Sequence, residues 1–222
     1  MVETQTGFPE QHAFDGLVGM GPNSSFVQST LDKAIASGQG ERRMFSMYLS
    51  DSADGGSMSF ETKNAWALPY WMLPSLTVAF NGVTVSSNTA VVIDSGTSFI
   101  LGPQSVVAEI YRLAGNVDSS GAIECWRVLS LPVLSVTIGS KRFDLKPEQY
   151  AYRGDDKWTC HIGITPFMDN SMWILGDVFM LNFLSVFSLE DPTTPADAVR
   201  PAVLPRDNGP SQVRHCKLSL QL

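Results

Sequence analysis

The run Val91-Val92-Ile93-Asp94-Ser95-Gly96-Thr97-Ser98 constrains this chain more than any other stretch. Its apolar half reads as a buried strand, with one carboxylate at the tip and hydroxyl and glycine residues immediately after it. Backbone amides and hydroxyls can converge there on a single carboxylate, favouring its charged form and fixing its orientation. An echo, Trp173-Ile174-Leu175-Gly176-Asp177, follows about eighty residues later. Taken alone, Asp-Ser-Gly-Thr is an ordinary turn sequence, so its meaning depends on what surrounds it.

The surroundings read mainly as strands. Met44 to Ser50 alternates bulky and small residues, Asp54-Gly55-Gly56-Ser57 is a turn, and Ser57 to Phe60 begins a return strand. Leu76 to Phe80 and Val83 to Val85 flank Asn81-Gly82, a strong hairpin signal. Val133 to Ile138 and Arg142 to Leu145 form another pair around Gly139-Ser140. Two segments carry helical periodicity. Ser24 to Ser37 places Val27, Leu31, Ala34 and Ile35 on one face and stops at Gly38. Gly102-Pro103 opens a second helix with proline in its first turn, striped by Val106, Val107, Ile110 and Leu113 and stopped by Gly115. From Pro192 onward, prolines at 192, 195, 201, 205 and 210 argue against a core element.

A chain of 222 residues with 44% hydrophobic composition can bury a substantial core. A net charge of −7 without clustered Lys or Arg argues against nucleic acid or anionic lipid as partners. No apolar run reaches bilayer-spanning length, and Met1-Val2-Glu3-Thr4 has neither the basic end nor the apolar stretch of a secretory signal. No membrane partner is therefore expected. Three cysteines and three scattered histidines, His12, His161 and His215, offer no metal-ligand spacing, so neither metal nor other cofactor is expected. His161 reads as a surface residue beside Cys160. No Gly-x-Ser-x-Gly elbow supports a serine hydrolase.

Phe14-Asp15-Gly16-Leu17-Val18-Gly19, Asp94-Ser95-Gly96-Thr97-Ser98 and Trp173-Ile174-Leu175-Gly176-Asp177 occur in that order. In this the chain resembles the pepsin-like aspartic peptidases from residue 8 to about 190, with two gaps. The resemblance implies a mainly β fold of the double-psi barrel type with short helices. Residues 63–191 would be the C-terminal catalytic lobe, 1–62 a remnant of the N-terminal lobe with its partner strands absent, and 192–222 a tail outside the family. Asp94 would be the second lobe's catalytic aspartate. Ser95 would make a hydroxyl contact across the lobes where threonine is more usual, Gly96 would bring its amide to the carboxylate, and Thr97 would bond its outer oxygen. Val92 and Ile174 would line subsites beside the scissile bond. Cys125 and Cys160 sit where the family closes a disulfide, and two free buried thiols are the alternative. A disulfide would suit an oxidising setting, secreted or an acidic vacuolar or lysosomal compartment. Cys216 would be left unpaired.

Peptide hydrolysis without a covalent intermediate takes an activated water and a proton donor, and two carboxylates sharing a site supply both. This chain carries one such motif where the family uses two. Asp15 and Asp177 match structural positions, and Asp177 reads as the cap of a helix from Val178. Three readings follow: part of an acid endopeptidase that acts on peptide or protein substrates once joined to its missing N-terminal lobe, a self-pairing half-enzyme, or a non-catalytic peptide- or partner-binding remnant.

Overall fold

The computed structural model describes residues 21, 30–38, 44–49, 57–61, 71–168, 171–183 and 185–188. The Phe14–Gly19 motif, the turn at 54–56 and the proline-rich tail lie outside them. Among the described residues the fold is mainly β with short helices, as the sequence implied.

A seven-stranded sheet carries the lobe. Its strands are β3 (Met72–Phe80), β4 (Val83–Ile93), β5 (Ile100–Pro103), β7 (Leu134–Ile138), β8 (Lys141–Leu145), β11 (Ile164–Phe167) and β12 (Met172–Leu175). Their spatial order is β11-β5-β12-β4-β3-β7-β8. Asn81 and Gly82 take φ of 53° and 73°, a tight reversal that returns β3 into β4. The sequence suggested separate strands at 83–85 and 91–94, but β4 runs unbroken through both. Asn88, at φ 55°, absorbs the local irregularity, and the β3–β4 register shifts nearby. β4 is exposed at the hairpin end and buried over Val91, Val92 and Ile93. Each such side chain contributes about 1.5–3 kcal/mol by leaving water. The strand is thus anchored at the end that carries Asp94.

β12 runs parallel to β4 and antiparallel to β5, while β5 runs parallel to β11. Trp173 on β12 is fully buried and donates its indole N–H to Ser86 Oγ at 3.2 Å. Its ring lies against Gly102, where an added Cβ would sit 2.5 Å from the indole. Gly102 and Pro103 therefore belong to a strand, not to a first helical turn. Pro103 becomes the N-cap residue of the helix Gln104–Leu113, whose buried face is Val107, Ile110 and Tyr111. Gly115, at φ 96°, follows the stop.

A second sheet joins β6 (Ala122–Glu124), β10 (Thr159–Ile162) and β9 (Ala151–Arg153). A 3-10 helix, Cys125–Ser130, leaves β6, and Cys125 is bonded to Cys160 with a Cα separation of 4.8 Å. A third sheet has the order β13-β1-β2, from Ser185–Ser188, Met44–Tyr48 and Ser57–Glu61. One sheet thus draws strands from both sides of residue 62. Phe45 of β1 and Phe187 of β13 stack at 4.6 Å, and Trp71 meets both rings at 5.6 and 5.2 Å. Since Trp71 directly precedes β3, this ring cluster ties the small sheet to the large one. The first helix spans Thr30–Ala36 and ends before Gly38 at φ 75°. Positions 24–29 of the expected helix are outside the described residues.

Candidate active site

Asp94 follows the last residue of β4 and begins a turn. Its amide donates to Leu175 O at 3.1 Å, so the turn starts locked against β12. The Gly96 amide donates to Asp94 Oδ1 at 2.9 Å, and the Thr97 hydroxyl donates to Oδ2 at 2.6 Å. Both oxygens of one carboxylate are thereby oriented from within three residues of chain. Gly96 has the room this needs, since a Cβ there would meet Oδ1 at 3.1 Å. Ser95 and Gly96 are exposed and Asp94 is half-buried, so the turn opens to solvent. Such bonds to an ionised group are stronger than neutral ones.

Val92 and Ile174 are direct partners across the parallel β4–β12 pair, with Ile93 and Leu175 the next rung. Val92 is nearly buried and Ile174 partly exposed, so they form an apolar step beside the Asp94 turn. All six residues singled out around the motif, Val92, Asp94, Ser95, Gly96, Thr97 and Ile174, therefore come together. The disulfide joins Cys160 of β10, in the separate small sheet, to Cys125 at the start of the 3-10 helix.

Asp177 departs from its expected role. Gly176 is the N-cap residue of the short helix Asp177–Met180, and the Asp177 side chain makes no capping bond. The helix entry is tied to the Asp94 turn instead: the amides of Gly176, Asp177 and Val178 donate to the carbonyls of Phe99, Thr97 and Ser98 at 3.2, 2.8 and 3.0 Å. Gly176 packs so closely that a Cβ would lie 2.0 Å from Thr97 O. This pulls Asp177 inward to 6% exposure. Burial pushes its carboxyl up to about 7, and the charge of Asp94 adds to the effect. The site thus contains a buried acid beside an accessible carboxylate. The sequence signal was the glycine before Asp177, which permits the close approach that buries it.

Phe99, at the exit of the turn, stacks on Tyr152 at 5.1 Å, and Tyr152 stacks on His161 at 5.4 Å. His161 is half-buried against this ring, not a free surface side chain. Among the described residues no cluster of His, Cys, Asp and Glu could hold a metal ion.

Over residues 1–196 the sequence matches the family described as eukaryotic aspartyl protease. Pepsin A of Sus scrofa is 31% identical over 211 aligned residues, covering 83% of this chain and 54% of that protein. Cathepsin E-B of Xenopus laevis is 30% identical over 202, covering 79% and 50%. Pepsin II-1 of Oryctolagus cuniculus is 30% identical over 199, covering 78% and 51%. The chain spans about half the length of the curated relatives it matches. Strand, turn and match agree, and the chain belongs to the eukaryotic aspartyl protease family, the family of pepsin.

Proposed function

We propose that this chain contributes one half of the active site of an acid endopeptidase, with Asp94 one of two carboxylates that share a proton. The observation that carries this is the pair of bonds from the Gly96 amide and the Thr97 hydroxyl, one to each oxygen of a solvent-facing carboxylate. In this reading ionised Asp94 takes a proton from a water as its oxygen attacks the peptide carbonyl carbon. The second carboxylate, protonated at that moment, donates to the carbonyl oxygen. The carbon–nitrogen bond then breaks as a proton passes to the leaving amine. Val92 and Ile174 supply the apolar floor beside the scissile bond, and the exposed Ser95 hydroxyl faces the opposing lobe. The lobe is taken as double-psi type, which the parallel β4–β12 pair running into the turn and helix supports.

Asp177 is buried and meets no substrate, so the second carboxylate must come from outside the described arrangement. Peptide or protein substrates would lie between Asp94 and that missing half. The test is cleavage of an unfolded protein at acid pH by the purified chain over a wide concentration range, with Asp94→Ala as control. Little or no cleavage is expected from the chain alone, and Asp94-dependent cleavage once a pepsin-type N-terminal lobe is supplied in trans. Asp94-dependent activity rising as the square of concentration would establish two copies pairing instead. Activity linear in concentration would overturn the one-carboxylate reading. Silence in every arm would leave the non-catalytic, partner-binding alternative.

A further inference from the structure

Far from the Asp94 turn in sequence, the disulfide corner presents three large apolar side chains to water. Trp126 is 77% exposed, Leu129 80% and Trp158 81%. Trp126 and Leu129 are three apart on the 3-10 helix, where such side chains eclipse one another. Trp158 joins them through the backbone: its carbonyl accepts the Cys125 amide at 2.8 Å, and the Cys125–Cys160 bond clamps the two segments. Asp156 Oδ1 accepts the Trp158 and Thr159 amides at 2.7 and 2.6 Å, which fixes the turn carrying the second ring. The face is held before anything binds to it, so little ordering cost remains.

Area and charge decide the occupant. Two indoles about four-fifths exposed plus Leu129 offer about 500 Å² of apolar surface, short of the roughly 800 Å² per partner typical of a stable protein pair. The neighbouring charges balance: three acids, Glu124, Asp155 and Asp156, against three bases, Arg127, Lys157 and Arg153, the last opposite Cys160 on β9. Arg127 is directed to Ala114 O at 3.3 Å. That rim does not attract an anionic surface. A flat boundary that takes indole rings and a leucine to shallow depth needs neither large area nor positive charge, and tryptophan concentrates at such boundaries.

We propose that Trp126, Leu129 and Trp158 dock this corner peripherally on a zwitterionic lipid surface. This departs from the expectation of no membrane partner, which rested on spanning length and net charge and does not bear on shallow docking. It is independent of the proteolytic reading.

The test is co-sedimentation of the full chain with phosphatidylcholine vesicles, and with vesicles containing added phosphatidylserine. Quenching of tryptophan emission by brominated phosphatidylcholine reports depth. Association with pure phosphatidylcholine, brominated-lipid quenching, and no gain from phosphatidylserine are expected. The Trp126→Ala/Trp158→Ala variant should lose at least about tenfold in partitioning while keeping its circular dichroism, as should Leu129→Ser to a smaller extent. Failure to sediment with phosphatidylcholine, binding only to phosphatidylserine vesicles, or full binding by the double variant would each overturn the proposal. Lipid-free self-association abolished by the same double variant, in place of lipid binding, would reassign the face to a second copy of this chain.

Discussion

Replacing Asp177 by asparagine should remove a fall in stability with rising pH that the protein owes to this acid beside the Asp94 turn. Burial raises this carboxyl from an ordinary 3.8 to about 7. Between those values the native state binds more protons than the unfolded chain, so stability falls as pH rises. The contribution is fully present below about pH 3.8 and is lost once pH has passed about 7. About three units correspond to an upper limit of about 4 kcal/mol, and relaxation and water entry reduce this to about 2–4 kcal/mol. Asparagine keeps the shape of the protonated acid but brings a buried amide donor that costs about 1 kcal/mol at any pH. Urea titrations at intervals from pH 4 to 8 read the difference. At pH 4 the variant should be slightly less stable than the parent, and at pH 8 more stable by about 1–3 kcal/mol, so the two profiles cross. The lowered carboxyls of Asp118, Asp144 and Asp156 act oppositely, losing stability only as pH falls below their ordinary 3.8, and do not produce a crossing. Parallel profiles would refute the assignment of a buried, proton-holding acid at Asp177.

Reduction of the Cys125–Cys160 bond, whose cysteines are 35 apart in sequence, should cost about 3–4 kcal/mol by chain entropy. A thermal melt with and without reductant reads this, and an unchanged melting temperature would contradict it. Gly176→Ala puts a methyl within 2.0 Å of Thr97 O and 2.5 Å of Phe99 O, both backbone atoms that cannot swing away. It should destabilise by more than about 3 kcal/mol or prevent folding. Gly82→Ala, with nothing within 4 Å but φ at 73°, should cost only about 1–2 kcal/mol. Equal losses at the two glycines in urea unfolding would show that crowding at Gly176 is not what matters.

How far the fold was legible depended on whether its signal was local. Asn81-Gly82 and Gly139-Ser140 dictate reversals by backbone conformation, so the β3–β4 and β7–β8 hairpins could be read directly. The helix stripe Val107–Ile110 also needs only its own periodicity. β5, β6, β9, β10 and β11 were not legible. Each is three or four residues long, and their pairing joins segments far apart, as Ile164 of β11 joins Ile100 of β5. The Asp94 turn was readable because its bonds span at most three residues. The burial of Asp177 was not, because it arises from carbonyls at 97–99 that lie about eighty residues away. Pro103 looked like a first-turn proline because Gly-Pro commonly opens a helix. The Trp173 ring against Gly102 instead holds those two residues in a strand.

The arrangement around Asp94 explains why half a site can still be well built. Ile93 N bonds Trp71 O, Asp94 N bonds Leu175 O, and Ile100 N bonds Gly163 O. Between them the carbonyls of residues 97–99 take the first amides of the helix at Asp177. Those amides are therefore spent on the turn's backbone, and the helix holds the turn in place without offering its positive end to the carboxylate. Among the described residues, the Asp94 carboxylate is oriented by Gly96 and Thr97, and its backbone is tied to Leu175. Preorganised dipoles of this kind do not have to be rearranged as charge develops in a reaction. What these residues do not place beside Asp94 is a second accessible carboxylate. The acid that could hold a shared proton, Asp177, is buried and keeps its own proton up to about pH 7. On the proposed reading, assembly of the opposing half adds charge and proton to a carboxylate whose geometry is already set, so withholding that half should silence cleavage without unfolding the turn.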